Sequence, residues 1–248
     1  MVQNIVVIDG KDANPAQLET SVDPVRFDHG KCMAISSIMY GEINNIHEEN
    51  NVVHFSSVRI MGVVYSCKIP IGTYSNTWSV AAQIVESIEN SCVENGLKIG
   101  SFEEKSIVIK DQSSTSFNLE LDGIIIHVKN RQDTPWNILG LDKDFSTISP
   151  ALTKRELLGT VQPAILYVNI VESSYINGNL ARNLAVIPLK VQKGYAYHEF
   201  AEPVYVPIEV KEFSQILLEI RGLDGKFIKF NPFWNTVITI RLKAINRS

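Results

Sequence analysis

Alternation of apolar and polar residues dominates this sequence and predicts β-strands. In the segments 117–122, 215–221 and 238–242, apolar side chains occupy every second position. This period places apolar side chains on one face of a strand and polar side chains on the other. The sequence also predicts strands at 5–8, 33–39, 57–68, 106–110, 124–129, 165–171, 184–189 and 227–230. Many short strands separated by turns are typical of an all-β sandwich or barrel.

Two Asp-Gly pairs predict tight hairpins between these strands. Asp122-Gly123 directly joins two apolar runs, and Asp224-Gly225 lies between the runs that begin at Ile216 and Phe227. Such pairs favour two-residue hairpin turns, because glycine readily adopts the positive φ angles that those turns require. We therefore expect both pairs to reverse the chain.

One segment has a helical period instead. Apolar residues at 81, 84, 85, 88 and 92 predict an amphipathic helix over about 77–94, laid against a sheet. Ser75 or Asn76 can cap its start, and Asn95-Gly96 can close its end. A weaker helical pattern covers 150–158. Residues 11–30 look irregular, and we expect an arm there that becomes ordered on assembly.

Composition narrows the functional classes. The 248 residues suffice for one large β domain, or for one domain that carries an insertion. The three cysteines are odd in number and form no Cys-x-x-Cys pair, which argues against a disulfide framework and a zinc site and favours a reducing intracellular compartment. The net charge of −4 disfavours a protein that coats nucleic acid. We find neither a signal peptide nor a membrane span in the sequence.

No catalytic motif is apparent. Phosphate-binding loops, GxSxG and HExxH are absent from the sequence, and the five histidines fall on separate segments. We therefore expect no catalytic residue, no cofactor and no metal site. Cys67 and His127 could form a concealed thiol hydrolase pair, but a buried thiol and an unrelated strand histidine are the favoured interpretation.

Two aromatic groups have two interpretations each. Phe233 and Trp234 lie in the segment 231–235, which is either an exposed contact loop or a turn whose rings fold back onto the core. Tyr195 and Tyr197 are two residues apart and form either a contact face or a core-facing stripe. The sequence alone does not decide between the two interpretations of either group.

Several short stretches, taken in order, resemble a known family. The first is KIPIGTYS at 68–75, followed by the helix, and WNILGL lies at 136–141. The longer series runs through 166–170, 177–179, 184–189, 203–207, 213–220, 224–225, 230 and 237–242. This order is similar to that in the minor capsid (penton) proteins of polinton-like viruses and virophages. In the WNILGL stretch, Leu141 replaces an aromatic residue that the family often carries.

The resemblance covers about two thirds of the chain, between residues 31 and 245, and implies a structural role. The family's members are single jelly rolls that form pentamers at icosahedral vertices, beside a major capsid protein with a double jelly roll. By this resemblance the chain is a non-enzymatic penton subunit that contacts itself and the major capsid protein. It would assemble inside the host cell and reside in the virion, with no specific nucleic-acid contact.

The resemblance also implies a domain plan and a set of contacts. We expect an all-β jelly-roll sandwich with one amphipathic helix, comprising an N-terminal strand and arm at 1–30 and a capsid domain at 31–248. A single jelly roll often needs fewer residues, so we expect an inserted subdomain within 96–160. Aromatic anchors dominate interface energies, which makes the following the candidate interface residues: Trp136, Phe145, Tyr195, Tyr197, Phe233 and Trp234.

Two other functions fit an all-β scaffold. A viral attachment or spike module that binds a host receptor or glycan would be favoured by an exposed, carbohydrate-sized pocket rimmed by aromatic and polar groups. A jelly-roll enzyme of the cupin type would require a clustered His/Glu metal site. The scattered histidines disfavour the enzyme.

Overall fold

The computed structural model describes residues 4–10, 16–26, 30–58, 60, 62–97, 107–128, 134–176 and 179–244. Strands dominate, and the helices and strands are, in chain order, β1 Asn4–Gly10, β2 Gln17–Arg26, β3 Lys31–Tyr40, β4 Val52–Ser57, β5 Val64–Lys68, α1 Thr77–Glu94, β6 Ile107–Asp111, β7 Ser116–His127, α2 Pro135–Leu139, β8 Phe145–Ile148, β9 Leu152–Thr153, β10 Val161–Val168, β11 Ser174–Ile176, β12 Asn179–Ala181, β13 Asn183–Lys190, β14 Ala196–Glu199, β15 Val206–Pro207, β16 Glu212–Gly222 and β17 Thr236–Ala244. The protein therefore has the predicted all-β, jelly-roll-like fold.

The chain divides into two compact units. The first unit combines Met1–Ile43 with Gly159–Ser248, and the second is Asn44–Leu158. The second unit thus begins well before the window 96–160 in which we expected an inserted subdomain, and it ends inside that window. The expected division into an arm at 1–30 and a capsid domain at 31–248 stays a prediction.

Besides the two-stranded sheet of β11 and β12, two antiparallel sheets build the first unit. One has the strand order β1-β17-β3-β14, with β15 also paired to β3, and the other has the order β13-β10-β16-β2. Alternate residues of β16 and β17 are fully buried, among them Ile216, Leu218 and Ile238. The hydroxyl of Tyr40 on β3 accepts a hydrogen bond from the backbone N–H of Lys190 on β13 (2.6 Å), which ties the two sheets together.

The second unit is a sheet covered by a helix. Its strands have the order β5-β4-β7-β6, and β8 and β9 also pair with β7. Helix α1 begins after Asn76, whose side chain accepts a hydrogen bond from the N–H of Ser79 (2.8 Å), and it is followed by Asn95 as the C-cap. Its bounds confirm the predicted helix at 77–94. Neither helix in the described part of the chain is long and apolar enough to cross a membrane.

Asp122-Gly123 does not form the predicted hairpin. Strand β7 continues through both residues, and Gly123 has a φ of 71° where the pairing of β7 with β8 shifts register between Glu120 and Ile125. The residues before this irregularity pair with β6, and those after it pair with β4. The glycine therefore bends one long strand between two neighbours, as a bulge does.

The second Asp-Gly pair does reverse the chain. Gly225 has a φ of 79°, and the backbone N–H of Gly222 donates to the carbonyl of Lys226 (2.8 Å). The predicted strand at 227–230 is wrong, because only the isolated bridges of Phe227 and Phe230 occur there.

Three further expectations are wrong. The strand expected over 57–68 is interrupted: Ser57 ends β4, residues 58 and 62 are turn residues, and β5 is Val64–Lys68. The weak helical pattern at 150–158 corresponds to β9, which pairs with the start of β7. Within the segment 11–30, expected to be irregular, residues 17–26 form β2 and pair with β16 along seven residues, which satisfies their backbone groups.

Candidate functional site

The best candidate for a functional site is a group of aromatic side chains on the first unit. The rings of Tyr195 and Trp234 meet edge to face, with centroids 4.7 Å apart and an interplanar angle of 87°. Trp234 lies against Gly41, where an added Cβ would come within 2.0 Å of the Trp234 Cβ. Only a glycine therefore leaves room for the indole at this point.

A hydrogen-bonded turn presents the neighbouring ring. The backbone N–H of Asn231 donates to the carbonyl of Glu42 (2.7 Å), and its side-chain oxygen accepts from the N–H of Phe233 (3.1 Å). The carboxylate of Glu42 also accepts from the N–H of Gly194 (3.0 Å), so one residue holds both loops. Phe233 itself is almost fully exposed.

Tyr197 follows Tyr195 by two residues and lies at a sheet edge. It lies on β14, the terminal strand of its sheet, opposite Met39 on β3. Its side chain is exposed, whereas the preceding residue, Ala196, is buried. We use the name aromatic surface for the following four residues: Tyr195, Tyr197, Phe233 and Trp234.

The other two sequence-derived candidates lie in the core of the second unit. Trp136 is 1% exposed and Phe145 is 8% exposed. Their rings meet edge to face at 5.6 Å, within the cluster that also buries α1. Both rings are covered inside this unit, so we assign them a packing role and leave them out of the aromatic surface.

Sequence reasoning missed a cleft in the first unit. It has a volume of about 420 Å³ and is lined in part by Tyr167, Arg182 and Arg221. Both guanidinium groups are paired: Arg182 with Glu209 at 2.7 Å, and Arg221 with Glu219 at 2.9 Å. Nothing in the sequence indicated that Arg182 and Arg221 line one cleft, because the two residues lie far apart in the chain.

The Cys67–His127 pair does not form. Cys67 lies opposite Val53 and packs against the core, whereas His127 lies opposite His54, one position out of phase. Successive side chains of a strand point to opposite faces, so the thiol and the imidazole lie on different sides of the sheet. Burial raises the pKa of Cys67 to about 12, and repulsion from Cys92 and Glu94 adds to it. Burial likewise raises the pKa of Cys92 to about 11, with a further contribution from Glu89.

His127 contacts a serine instead. Its Nε2 atom is 2.9 Å from the Oγ of Ser56, and its Nδ1 atom is 3.6 Å from a carboxylate oxygen of Asp144. The second distance is too long for a hydrogen bond, whereas the other oxygen of Asp144 accepts from the N–H of Val128 (2.6 Å). A catalytic triad needs the carboxylate to orient the imidazole, and this arrangement lacks that bond.

No metal site accompanies these groups. Across the described ranges, no cluster of three or more His, Cys, Asp or Glu side chains is arranged to hold a metal ion.

Comparison with solved structures finds a distant likeness to a viral protein. The chain is similar to the penton protein of mavirus, with 12% sequence identity and a TM-score of 0.48 over 98% of this chain and 100% of that chain. No protein-family model matches the sequence, and no curated protein matches it.

Proposed function

We propose that this protein is a structural subunit of a viral capsid, of the penton type. Five copies would form a ring at an icosahedral vertex, and the ring's perimeter would contact a major capsid protein with a double jelly roll. The protein would act by binding alone, assembling in the host cell and remaining in the virion.

The order of short motifs between residues 31 and 245 supports this proposal, since it resembles the order in penton proteins. The jelly-roll-like fold is compatible with it. A fold hosts many functions, however, so the assignment to assembly needs a surface feature of its own.

The aromatic surface is the observation that carries the proposal. Phe233 is 91% exposed, Tyr197 is 64% exposed and Tyr195 is 47% exposed. Exposed apolar side chains that cluster in one place mark interaction sites, and buried aromatic anchors contribute most of the free energy at protein interfaces. The Asn231 turn and Glu42 hold the loops that carry Tyr195, Phe233 and Trp234 before binding, which lowers the backbone entropy lost on association.

A closed ring requires two different patches on each subunit, because cyclic contacts with five copies are heterologous. The aromatic surface would supply one patch. A stable interface of this kind should bury at least about 1,000 Å² in total. Four aromatic side chains can form its centre, with polar residues around them.

Sedimentation of the whole chain at several concentrations tests the proposal. We expect a species with five times the chain mass of 27.7 kDa. The double substitution Tyr197→Ser and Phe233→Ser should shift this equilibrium towards monomer by at least tenfold. The matched control is Tyr175→Ser, which removes an exposed ring outside the aromatic surface and should leave the equilibrium unchanged.

If the chain remains monomeric on its own, it is next mixed with a double jelly-roll major capsid protein. Incorporation at vertices, lost in the double variant and kept in the control, supports the proposal. The proposal is overturned if no pentamer forms and the chain is not incorporated at vertices either.

A further inference from the structure

The second unit contains a pocket that the proposed capsid function does not require. Its volume is about 430 Å³, within the range of small-molecule sites, and we call it the Trp78 pocket. It lies at the start of α1, between the end of β6 and the segment that follows β9. The residues that line it include Asn76, Trp78, Asp111, Lys154, Arg155 and Glu156.

The walls of this pocket are held by a network around Thr77. The Thr77 hydroxyl donates to the carbonyl of Thr153 (2.8 Å) and accepts from the N–H of Arg155 (3.1 Å). The N–H of Thr77 in turn donates to the carbonyl of Arg155 (3.1 Å). On the other side of Thr77, the side chain of Asn76 caps α1 by accepting from the N–H of Ser79. The segment after β9 is therefore fixed to the first turn of α1, and the pocket exists before any ligand binds.

An aromatic ring forms one wall. Trp78 is half-buried and packs edge to face on Phe117, with ring centroids 5.1 Å apart. The ammonium of Lys154 lies 5.2 Å from the centroid of the Trp78 ring. Among the described residues the indole N–H of Trp78 has no hydrogen-bond partner, so it remains available as a donor.

The charges of the pocket balance. Lys154 pairs with Asp111 at 2.6 Å, and the guanidinium of Arg155 donates to the carbonyl of Ile138 (2.7 Å). Glu156 is exposed and has no ion-pair partner in the part of the chain that the structure describes. Two acidic and two basic side chains thus face one space, which favours neither an anion nor a cation.

We propose that the Trp78 pocket binds a neutral carbohydrate. A sugar ring carries an apolar C–H face, which can pack on the part of the Trp78 ring that lines the pocket beside the Lys154 ammonium and lose its contact with water. Its hydroxyl groups both donate and accept hydrogen bonds, which matches a wall that offers the Trp78 N–H, the Lys154 ammonium and the carboxylates of Asp111 and Glu156. This inference rests on the second unit alone and is independent of the capsid proposal.

Saturation-transfer NMR on the whole chain tests it, with glucose, galactose, N-acetylglucosamine and lactose as probes and inorganic sulfate as the anionic competitor. At least one sugar should bind saturably, with a Kd of about 1 mM or tighter, and sulfate should not displace it. The same sugar should change the tryptophan fluorescence, because Trp78 lies in the pocket.

Substitutions test whether the sugar binds in the Trp78 pocket. Glu156→Ala and Asp111→Ala should each weaken binding at least tenfold, and Glu86→Ala, on an exposed position of α1, should leave it unchanged. Thermal unfolding of each variant verifies that the second unit stays folded. The proposal is overturned if no sugar of the panel binds saturably, if sulfate displaces the sugar, or if binding survives in both pocket variants.

Discussion

The side chain of Trp234 occupies the space that Gly41 leaves empty. An added Cβ on Gly41 would lie 2.0 Å from the Cβ and 2.6 Å from the Cγ of Trp234, so close that one of the two residues would have to move. The position of the indole therefore depends on the missing side chain of Gly41. The edge-to-face contact between Trp234 and Tyr195 depends on it in turn.

We predict that Gly41→Ala displaces Trp234 and lowers the free energy of unfolding by about 1–3 kcal/mol, as overpacking does. The measurement is urea denaturation followed by tryptophan fluorescence. The matched control is Gly72→Ala, because an added Cβ there meets nothing within 4 Å. An unchanged midpoint and spectrum in the Gly41 variant would show that the indole has another position of equal energy.

Phe230 and Phe233 are three residues apart, but one lies in the core and the other on the surface. Phe230 is buried and its ring lies 5.9 Å from that of Tyr40, whereas Phe233 is exposed. We predict that Phe230→Ala costs about 3–5 kcal/mol of unfolding free energy. Phe233→Ala should change it by less than about 0.5 kcal/mol. Equal losses in denaturation experiments would mean that Phe233 is covered within the protein.

Helix α1 was predictable from the sequence, because its determinants are local. The apolar spacing at 81, 84, 85, 88 and 92 and the cap at Asn76 both lie within one segment and agree with each other. Strands β16 and β17 were predictable for the same reason, since alternation reports directly which face is buried.

Features that depend on distant pairing were not predictable. The dipeptide Asp122-Gly123 is compatible with a hairpin turn and with a bulge. The pairing of β7 with β4 and β6 decides in favour of the bulge. The residues of the candidate site also depend on contacts between distant parts of the chain. Trp136 and Trp234 are both followed by asparagine in the sequence, and only the packing around each ring makes one a core residue and the other part of the aromatic surface.

Trp136 provides a test of that distinction. We predict that Trp136→Ala lowers the unfolding free energy by about 3–5 kcal/mol, because it empties the centre of the second unit's core. Urea denaturation measures the loss. The control is Ile148→Ala, at an exposed side chain in the same unit, which should cost less than about 0.5 kcal/mol. A cost at Trp136 as small as that of the control would favour a contact role for this ring.

The half-buried thiol of Cys67 and the buried thiol of Cys92 in the second unit should react slowly. Thiolates, and not thiols, attack alkylating reagents. Because burial raises the pKa of Cys67 from 9.0 to about 12 and that of Cys92 to about 11, both stay protonated at pH 8. We predict that iodoacetamide labels each at least about 100-fold more slowly in the folded protein than in urea, measured by mass spectrometry of the peptides. Rapid labelling of Cys67 at pH 8 in the folded protein would contradict the packing of its thiol against the core.

The same two thiols should make the stability of the protein fall at alkaline pH. The pKa of each thiol is higher in the folded state than the ordinary value of 9.0 that it regains on unfolding. Their contribution to the free energy of unfolding is therefore complete below pH 9 and declines as the pH rises above it, because only the unfolded state then releases the protons. Urea denaturation at pH 8 and pH 10 should show a lower midpoint at pH 10. The double substitution Cys67→Ala and Cys92→Ala removes both titrating groups and should reduce this difference, and a difference of the same size in that variant would assign it to other groups.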